Sequence, residues 1–211
     1  MRTMSKITIL STLVIFFLIP NTILAQETKT LMGDDTKISS IWGIDLKTGN
    51  IQDDIGVGYD VFYGALFNKS ILLGGVAGLN VTHPLINYGY YGLFGNYTYK
   101  PDEVIHFSGQ LALGAGSAKG YQSIKSSAFD NFGNITGDGF YFLEPGVNVE
   151  FNITETTRLV FGLSYRYVTG LDEVTFIQED YLSDDPPKEY SFSETDLSTI
   201  FFNIGVKIGK Y

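Results

Sequence analysis

Eight stretches of this chain, each at least ten residues long, alternate apolar residues with small or polar ones at period two. The fifth shows the pattern most plainly. Ile105, Phe107, Gly109, Leu111, Leu113 and Ala115 share one face, while His106, Ser108, Gln110, Ala112 and Gly114 share the other. A helix would scatter both sets around its circumference, whereas a strand places them on opposite faces. The chain is therefore constrained to be all-β, with each strand carrying one consistently apolar face.

The predicted strands cover 37–46, 55–67, 71–81, 88–99, 105–115, 140–151, 158–168 and 198–208. Their apolar faces carry, for example, Trp42, Ile44 and Leu46 in the first and Tyr91, Leu93, Tyr97 and Tyr99 in the fourth. The sixth carries Tyr141, Leu143, Pro145, Val147, Val149 and Phe151, and the eighth Ile200, Phe202, Ile204, Val206 and Ile208. Connections after strands two, four and six (68–70, 100–103 and 152–157) are tight and rich in turn formers. The others read as longer, above all 117–138 and 170–196. An even number of strands with short turns on one side and long loops on the other matches a closed barrel in a bilayer. No apolar run after the N-terminal region approaches the roughly 18 residues of a membrane helix, so any crossing must use strands.

The N-terminus supplies a compartment. Arg2 and Lys6 precede a mainly apolar run over 7–19, and Pro20 and then Ile23-Leu24-Ala25 lead to Gln26. This is the pattern of a secretory signal peptide over 1–25, cleaved after Ala25, with the barrel domain over 26–211. The chain has no cysteine, which excludes a lipoprotein anchor at a mature N-terminal cysteine, disulfides and thiolate chemistry. A net charge of −9, with no clustered Lys and Arg, argues against nucleic acid as a partner.

Alternation alone does not say which face looks inward, and a soluble eight-stranded ligand-binding barrel has the same period. The polar faces decide it. They are glycine, serine, asparagine and sparse charges, whereas a solvated exterior would carry many Lys and Glu. Small residues suit a narrow lumen, and apolar faces ending in aromatics (Phe67, Tyr99, Phe107, Phe151 and Phe161 toward the turns, Tyr91, Tyr141 and Tyr167 toward the loops) suit lipid. With this architecture and its C-terminal aromatic, Tyr211, the chain resembles the small eight-stranded outer-membrane proteins of Gram-negative bacteria, the class of the OmpA transmembrane domain, OmpX and OmpW. The resemblance implies an outer-membrane location and lipopolysaccharide and other outer-membrane lipids as surroundings. Tyr211 departs from the class in being out of phase with Ile204, Val206 and Ile208, so either the last strand ends before Lys210 or a bulge shifts it.

Pairing strands six and seven with Phe151 opposite Leu159 puts Glu144 opposite Arg166 and predicts an ion pair inside the barrel. Asp60, Glu150, Arg158, Lys207 and Gln110 fall on the same inward side. Such groups fill and rigidify a plugged interior, because eight strands leave room for side chains but little for a channel; the competing reading is a gated narrow pore or a proton-linked lumen switch. His106 and Ser108 are two apart on an inward face, and His-x-Ser resembles the pair in barrel enzymes that deacylate lipid A. Catalysis there would need an acidic partner and access to acyl esters. His83 reads as a turn residue. The glycine strings lack the helix and lysine of a phosphate loop.

The last loop is acidic, with Asp172, Glu173, Glu179, Asp180, Asp184, Asp185 and Glu189 around Pro186-Pro187. Asp172, Glu173, Asp180, Asp184 and Asp185 are candidates for contact with cations or, through divalent ions, with lipopolysaccharide phosphates; no EF-hand spacing makes a dedicated metal site. The third loop and its exit carry Tyr121, Phe129, Phe132 and Phe140, a composition suited to contact surfaces. Loops 117–138 and 170–196 are thus the candidate contacts with extracellular or envelope proteins. The sequence implies no cofactor. The favoured function is a non-enzymatic barrel with a structural or surface-contact role; the alternatives are a lipid A-modifying enzyme and a narrow solute conduit.

Overall fold

A computed structural model describes residues 36–52, 54–81, 86–120, 137–178 and 188–211. The expected leader over 1–25 and the domain start at Gln26 lie outside the described residues. Twelve elements follow in order: β1 (Ile38–Ile51), β2 (Asp54–Phe67), β3 (Ile71–Asn80), β4 (Ile86–Tyr99), β5 (Ile105–Gly120), β6 (Gly137–Thr154), β7 (Thr157–Tyr165), β8 (Tyr167–Thr169), β9 (Val174–Gln178), β10 (Lys188–Phe192), a one-turn helix α1 (Glu194–Leu197) and β11 (Ile200–Gly209).

Strands β1 to β7 pair antiparallel with their sequence neighbours, β8 continues the line of β7 against β6, and β11 lies between β7 and β1. The pairing of Trp42 with Ile208 and of Leu46 with Ile204 joins first strand to last and closes an eight-stave barrel. Closure removes the two sheet edges that would otherwise present unpaired backbone groups to hydrocarbon. The hairpin register follows from the turns. Asn68 (φ 49°) and Lys69 (φ 61°) take left-handed conformations that turn β2 into β3, with the Ser70 amide donating to the Phe67 carbonyl at 3.0 Å.

The period-two faces sort as the sequence predicts. Trp42, Tyr63, Tyr91, Leu93, Phe107, Leu111, Tyr141, Val147, Phe161, Leu163, Phe202 and Ile204 are all exposed on the outer wall. Charged and amide side chains, Asp45, Lys47, Asp60, Asn96, Glu144, Asn148, Glu150, Arg158 and Lys207 among them, are buried inside. This is an inside-out arrangement, and it is stable only where the outer solvent is lipid.

Several boundaries differ from the sequence reading, most of them for one reason. The staves run on past the apolar belt on the loop side, where outward residues meet water and need not be apolar. The first connection is not long, because β1 reaches Ile51, which pairs with Asp54 across two residues. Residues 117–120 and 137–138, expected in the third loop, are strand: Ser117 pairs with Gly139 and Ala118 with Asp138. Phe140, read as a loop contact, is buried in the lumen. The last strand begins at Ile200 instead of 198. The interior is also less purely small and polar than the sequence suggests, since Phe62, Phe94, Tyr88, Tyr90, Phe142 and Phe201 fill much of it, with Phe62 stacked on Phe94 at 4.9 Å.

Within the segment expected as one loop over 170–196, the described residues form regular elements. Gly170 turns the chain out of β8 at φ +83°, a value glycine accepts without strain. Strands β9 and β10 then pair as a separate hairpin, Thr175 with Ser191 and Val174 with Phe192. Ser193 and Asp196 bond reciprocally to form a capping box at the start of α1. Leu171, Val174, Phe192 and Leu197 from this segment join Ile51, Ile86, Ala118, Phe140 and Val168 of the wall in one buried apolar cluster. The residues from this segment form its loop-side end and cap the mouth, and the same cluster continues down the bore to Leu66 and Leu72.

Candidate functional site

The chemistry of the chain is concentrated in the lumen, in two groups at different heights. The upper group, toward the loops, comes from β1, β2, β4, β6 and the β7–β8 junction. The Lys47 ammonium lies 2.5 Å from Asp60 Oδ2 and 2.5 Å from Glu144 Oε1. Glu144 Oε2 takes Arg166 Nε at 2.8 Å and Nη2 at 2.6 Å, and Ser164 Oγ donates to Glu144 Oε1 at 2.8 Å. The Tyr90 hydroxyl donates to Asp60 Oδ1. Two cations and two carboxylates therefore interlock, fully desolvated yet neutral as a set, which is the condition under which buried charges are tolerated. The Arg166 guanidinium lies over aromatic faces, 3.9 Å from the Tyr90 ring centre and 4.8 Å from that of Phe201.

The lower group, toward the turns, centres on Glu150. Its Oε1 receives Lys207 Nζ at 2.6 Å and the Ser108 hydroxyl, and its Oε2 faces His106 Nε2 at 3.4 Å and Arg158 Nη1 at 3.6 Å. Asn148 Nδ2 reaches Ser108 Oγ at 3.2 Å and Gln110 Oε1 at 2.9 Å, while Asn96 Nδ2 reaches Ser108 Oγ at 3.0 Å. Asp45, buried on β1 between the two lysines, leans over Gly205, where a Cβ would collide with its carboxylate. Glycine at 205 is thus the space in which this carboxylate sits.

Every inward residue singled out from the sequence is found in these groups: Glu144, Arg166 and Asp60 in the upper one, Glu150, Lys207, Gln110 and Arg158 in the lower. The sequence reading misses Lys47, the residue that ties Glu144 to Asp60, because the outward apolar set of the first strand ends at Leu46. Asn148 and Ser164 fall on the inward faces by the same alternation without standing out as members of the network, and Tyr90 and Asp45 are missed. The signal for Lys47 was available, since Asp45, Lys47, Gly49 and Ile51 continue the inward phase beyond the apolar outer residues.

His106 and Ser108 meet at a shared carboxylate. Both turn to Glu150 rather than to each other, and His106 Nδ1 meets the Glu103 carbonyl at 3.0 Å. The acidic partner that catalysis would require is present, and the His106 side chain is fully buried beside it.

At the turn-side mouth, β11 stops at Gly209 and Tyr211 folds inward, its ring centre 3.6 Å from the Arg158 guanidinium. This explains the phase departure: the strand ends before Lys210. Burial holds the Tyr211 phenol above its ordinary titration range. Nearby, Lys69 Nζ lies 2.7 Å from Asp102 Oδ1 and ties two turns together; that hydrogen bond and charge hold the Asp102 carboxyl below the usual aspartate value. On the loop side, the Asp172 amide donates to Asp138 Oδ2 at 2.8 Å, and Asp172 and Glu173 are exposed. Asp180, Asp184 and Asp185 lie outside the described residues, as do His83, Tyr121, Phe129 and Phe132. No metal-binding group of three or more ligands occurs among the described residues.

No protein-family model matches the chain, and no curated protein matches it in sequence. Solved structures do match in shape. Neisserial surface protein A aligns with a TM-score of 0.54 at 10% identity, over 82% of this chain and 97% of that one. A major outer membrane protein from Thermus thermophilus aligns with a TM-score of 0.50 at 12% identity, over 81% of this chain and 99% of that one. At these identities the likeness is one of fold, and the fold is that of the small eight-stranded outer-membrane barrels.

Proposed function

We propose that this chain is a non-enzymatic outer-membrane barrel with a structural and surface-contact role, exported by a signal peptide cleaved after Ala25. The observation that carries the reading is the closed lumen. Two interlocked charge groups and large aromatics occupy the bore, and the apolar cap of Leu171, Val174, Phe192 and Leu197 covers its loop-side mouth. A solute would have to part several desolvated ion pairs to pass, which argues against a conduit. The burial of His106 and Ser108 argues against lipid A deacylation. What remains accessible is the outer wall, which meets lipid, and the loops. The acidic segment around Asp172 and Glu173 would meet lipopolysaccharide through divalent cations, and the 117–138 and 170–196 segments would meet envelope or extracellular partners.

Planar-bilayer recordings of the refolded chain test the lumen, and mass spectrometry of lipid A from cells with and without it tests the chemistry. The reading expects a silent bilayer and unchanged lipid A. Steady unitary conductance, or a missing or added acyl chain, would overturn it.

A further inference from the structure

The barrel wall has a discontinuity on its loop-side half. In an antiparallel strand a residue's N–H and C=O point to the same neighbour, and successive residues alternate between neighbours. The Arg166 amide donates to the Thr199 carbonyl at 2.9 Å, so the backbone of Arg166 faces the β11 side and that of Tyr165 faces β6. The register pairing Gly146 with Ser164 on one side and Leu143 with Tyr167 on the other puts Pro145 opposite Tyr165. Proline has no N–H to offer the Tyr165 carbonyl. The ladder accordingly stops at Gly146 and Ser164 and resumes only at Leu143 and Tyr167, and the seventh stave is split into β7 and β8 there. On its other edge β6 stays in unbroken register with β5, including the pair Leu111 with Pro145.

The same place is bridged from inside by side chains. Glu144 of β6 accepts from Ser164 of β7 at 2.8 Å and from Arg166, the residue at the split, at 2.8 Å. On the outside, Leu143, Tyr165 and Tyr167 are exposed on the lipid-facing wall. Beyond the split only three register pairs hold β8 to β6.

We propose that the sixth and seventh staves form a lateral seam, at which the barrel opens locally toward the membrane, and that Glu144 is its inner clasp, with Ser164 and Arg166 substituting for the backbone bond that Pro145 cannot make. Among the described residues Pro145 is the only proline within a strand, so the missing donor falls at this pair of staves. Opening it moves β8 and the Arg166 junction without disturbing the β1–β11 closure on the other side of β7.

Amide-resolved hydrogen exchange by NMR on the refolded chain in lipid nanodiscs reads the seam directly. The Leu143, Tyr165 and Tyr167 amides are expected to exchange at least about tenfold faster than those of Val149, Phe161 and Leu163 lower in the same pair of staves. Pro145→Ala, which restores the missing donor, should slow the seam amides by roughly fivefold to tenfold, the worth of one hydrogen bond. Ser164→Ala should speed them severalfold and leave the β1–β11 amides unchanged. Seam amides as protected as those of Val149 and Phe161 would overturn the proposal. So would a Pro145→Ala variant that leaves them unchanged, or a Ser164→Ala variant that speeds exchange equally all around the barrel.

Discussion

Replacing Lys47 by Met tests whether the lumen is held by charge balance or merely filled. The ammonium lies 2.5 Å from both Asp60 and Glu144, and all three side chains are at most 5% exposed. Methionine keeps the volume and removes the charge, leaving two carboxylates and one guanidinium. The two carboxylates do not suffer equally. Glu144 retains Arg166 at 2.6 Å and Ser164 at 2.8 Å, whereas among the described residues Asp60 keeps the Tyr90 hydroxyl as its one remaining hydrogen-bond partner. Among the described residues the stranded group is therefore Asp60, and breaking a buried pair in this way costs about 3–5 kcal/mol. At about 1.4 kcal/mol per decade, the unfolding equilibrium should shift by roughly two to three and a half orders of magnitude.

The assay is urea unfolding of the refolded protein in detergent micelles, followed by the fluorescence of Trp42. It is the single tryptophan, it is 48% exposed on the lipid-facing wall, and its emission follows withdrawal from the apolar environment. Adding Asp60→Asn to Lys47→Met should recover most of the loss, because the amide still accepts from Tyr90 and the set regains neutrality. Adding Glu144→Gln should not, because Arg166 then loses its carboxylate. A cost below about 1 kcal/mol for Lys47→Met, within the range of an exposed pair, would refute the reasoning; so would rescue by Glu144→Gln but not by Asp60→Asn.

Three further outcomes are expected. Tyr211→Ala removes the ring over Arg158 and should lower stability by about 0.5–2 kcal/mol, read as a lower midpoint in the same urea titration. Leu197→Ala hollows the cap over the loop-side mouth; it should cost about 2–5 kcal/mol if the cap unfolds with the barrel, and limited proteolysis should cut the 170–199 segment sooner if the cap opens alone. Lys69→Met should return Asp102 to the ordinary aspartate titration, measured by carboxyl carbon NMR. Because Asp102 is depressed in the folded chain, its contribution is present above the ordinary aspartate value and fades as pH falls through the folded one, so the variant should differ from wild type near neutral pH and converge with it in acid.

The sequence revealed those parts of the fold that lipid imposes. Along the apolar belt the outward residues must be apolar, so alternation is strong and the staves are unmistakable. Past the belt that constraint lapses: Thr48, Asn50, Ser117 and Lys119 face outward into water, and their polarity made real strand look like loop. This shortening cost the reading Lys47. The inward phase alone would have kept it, since Asp45, Lys47, Gly49 and Ile51 keep period two where the outward set has gone polar.

Neighbouring and non-neighbouring contacts were legible to different degrees for a topological reason. Fixing Phe151 opposite Leu159 at the β6–β7 turn determines the position of every later residue in that hairpin, so Glu144 opposite Arg166 follows from one register. The bridge from Lys47 on β1 to Glu144 on β6 crosses the bore between staves that do not pair, and it depends on closure and lumen width, which no single hairpin encodes. Pro145 lies between these cases. By its side chain it is one more member of an apolar face, because a side-chain pattern is blind to the donor a residue lacks. Whether that donor matters depends on which neighbour its nitrogen faces. The Arg166 amide bond to Thr199 answers that question for the whole stave and puts the missing donor in the β6–β7 wall, one residue from the carboxylate that bridges the gap.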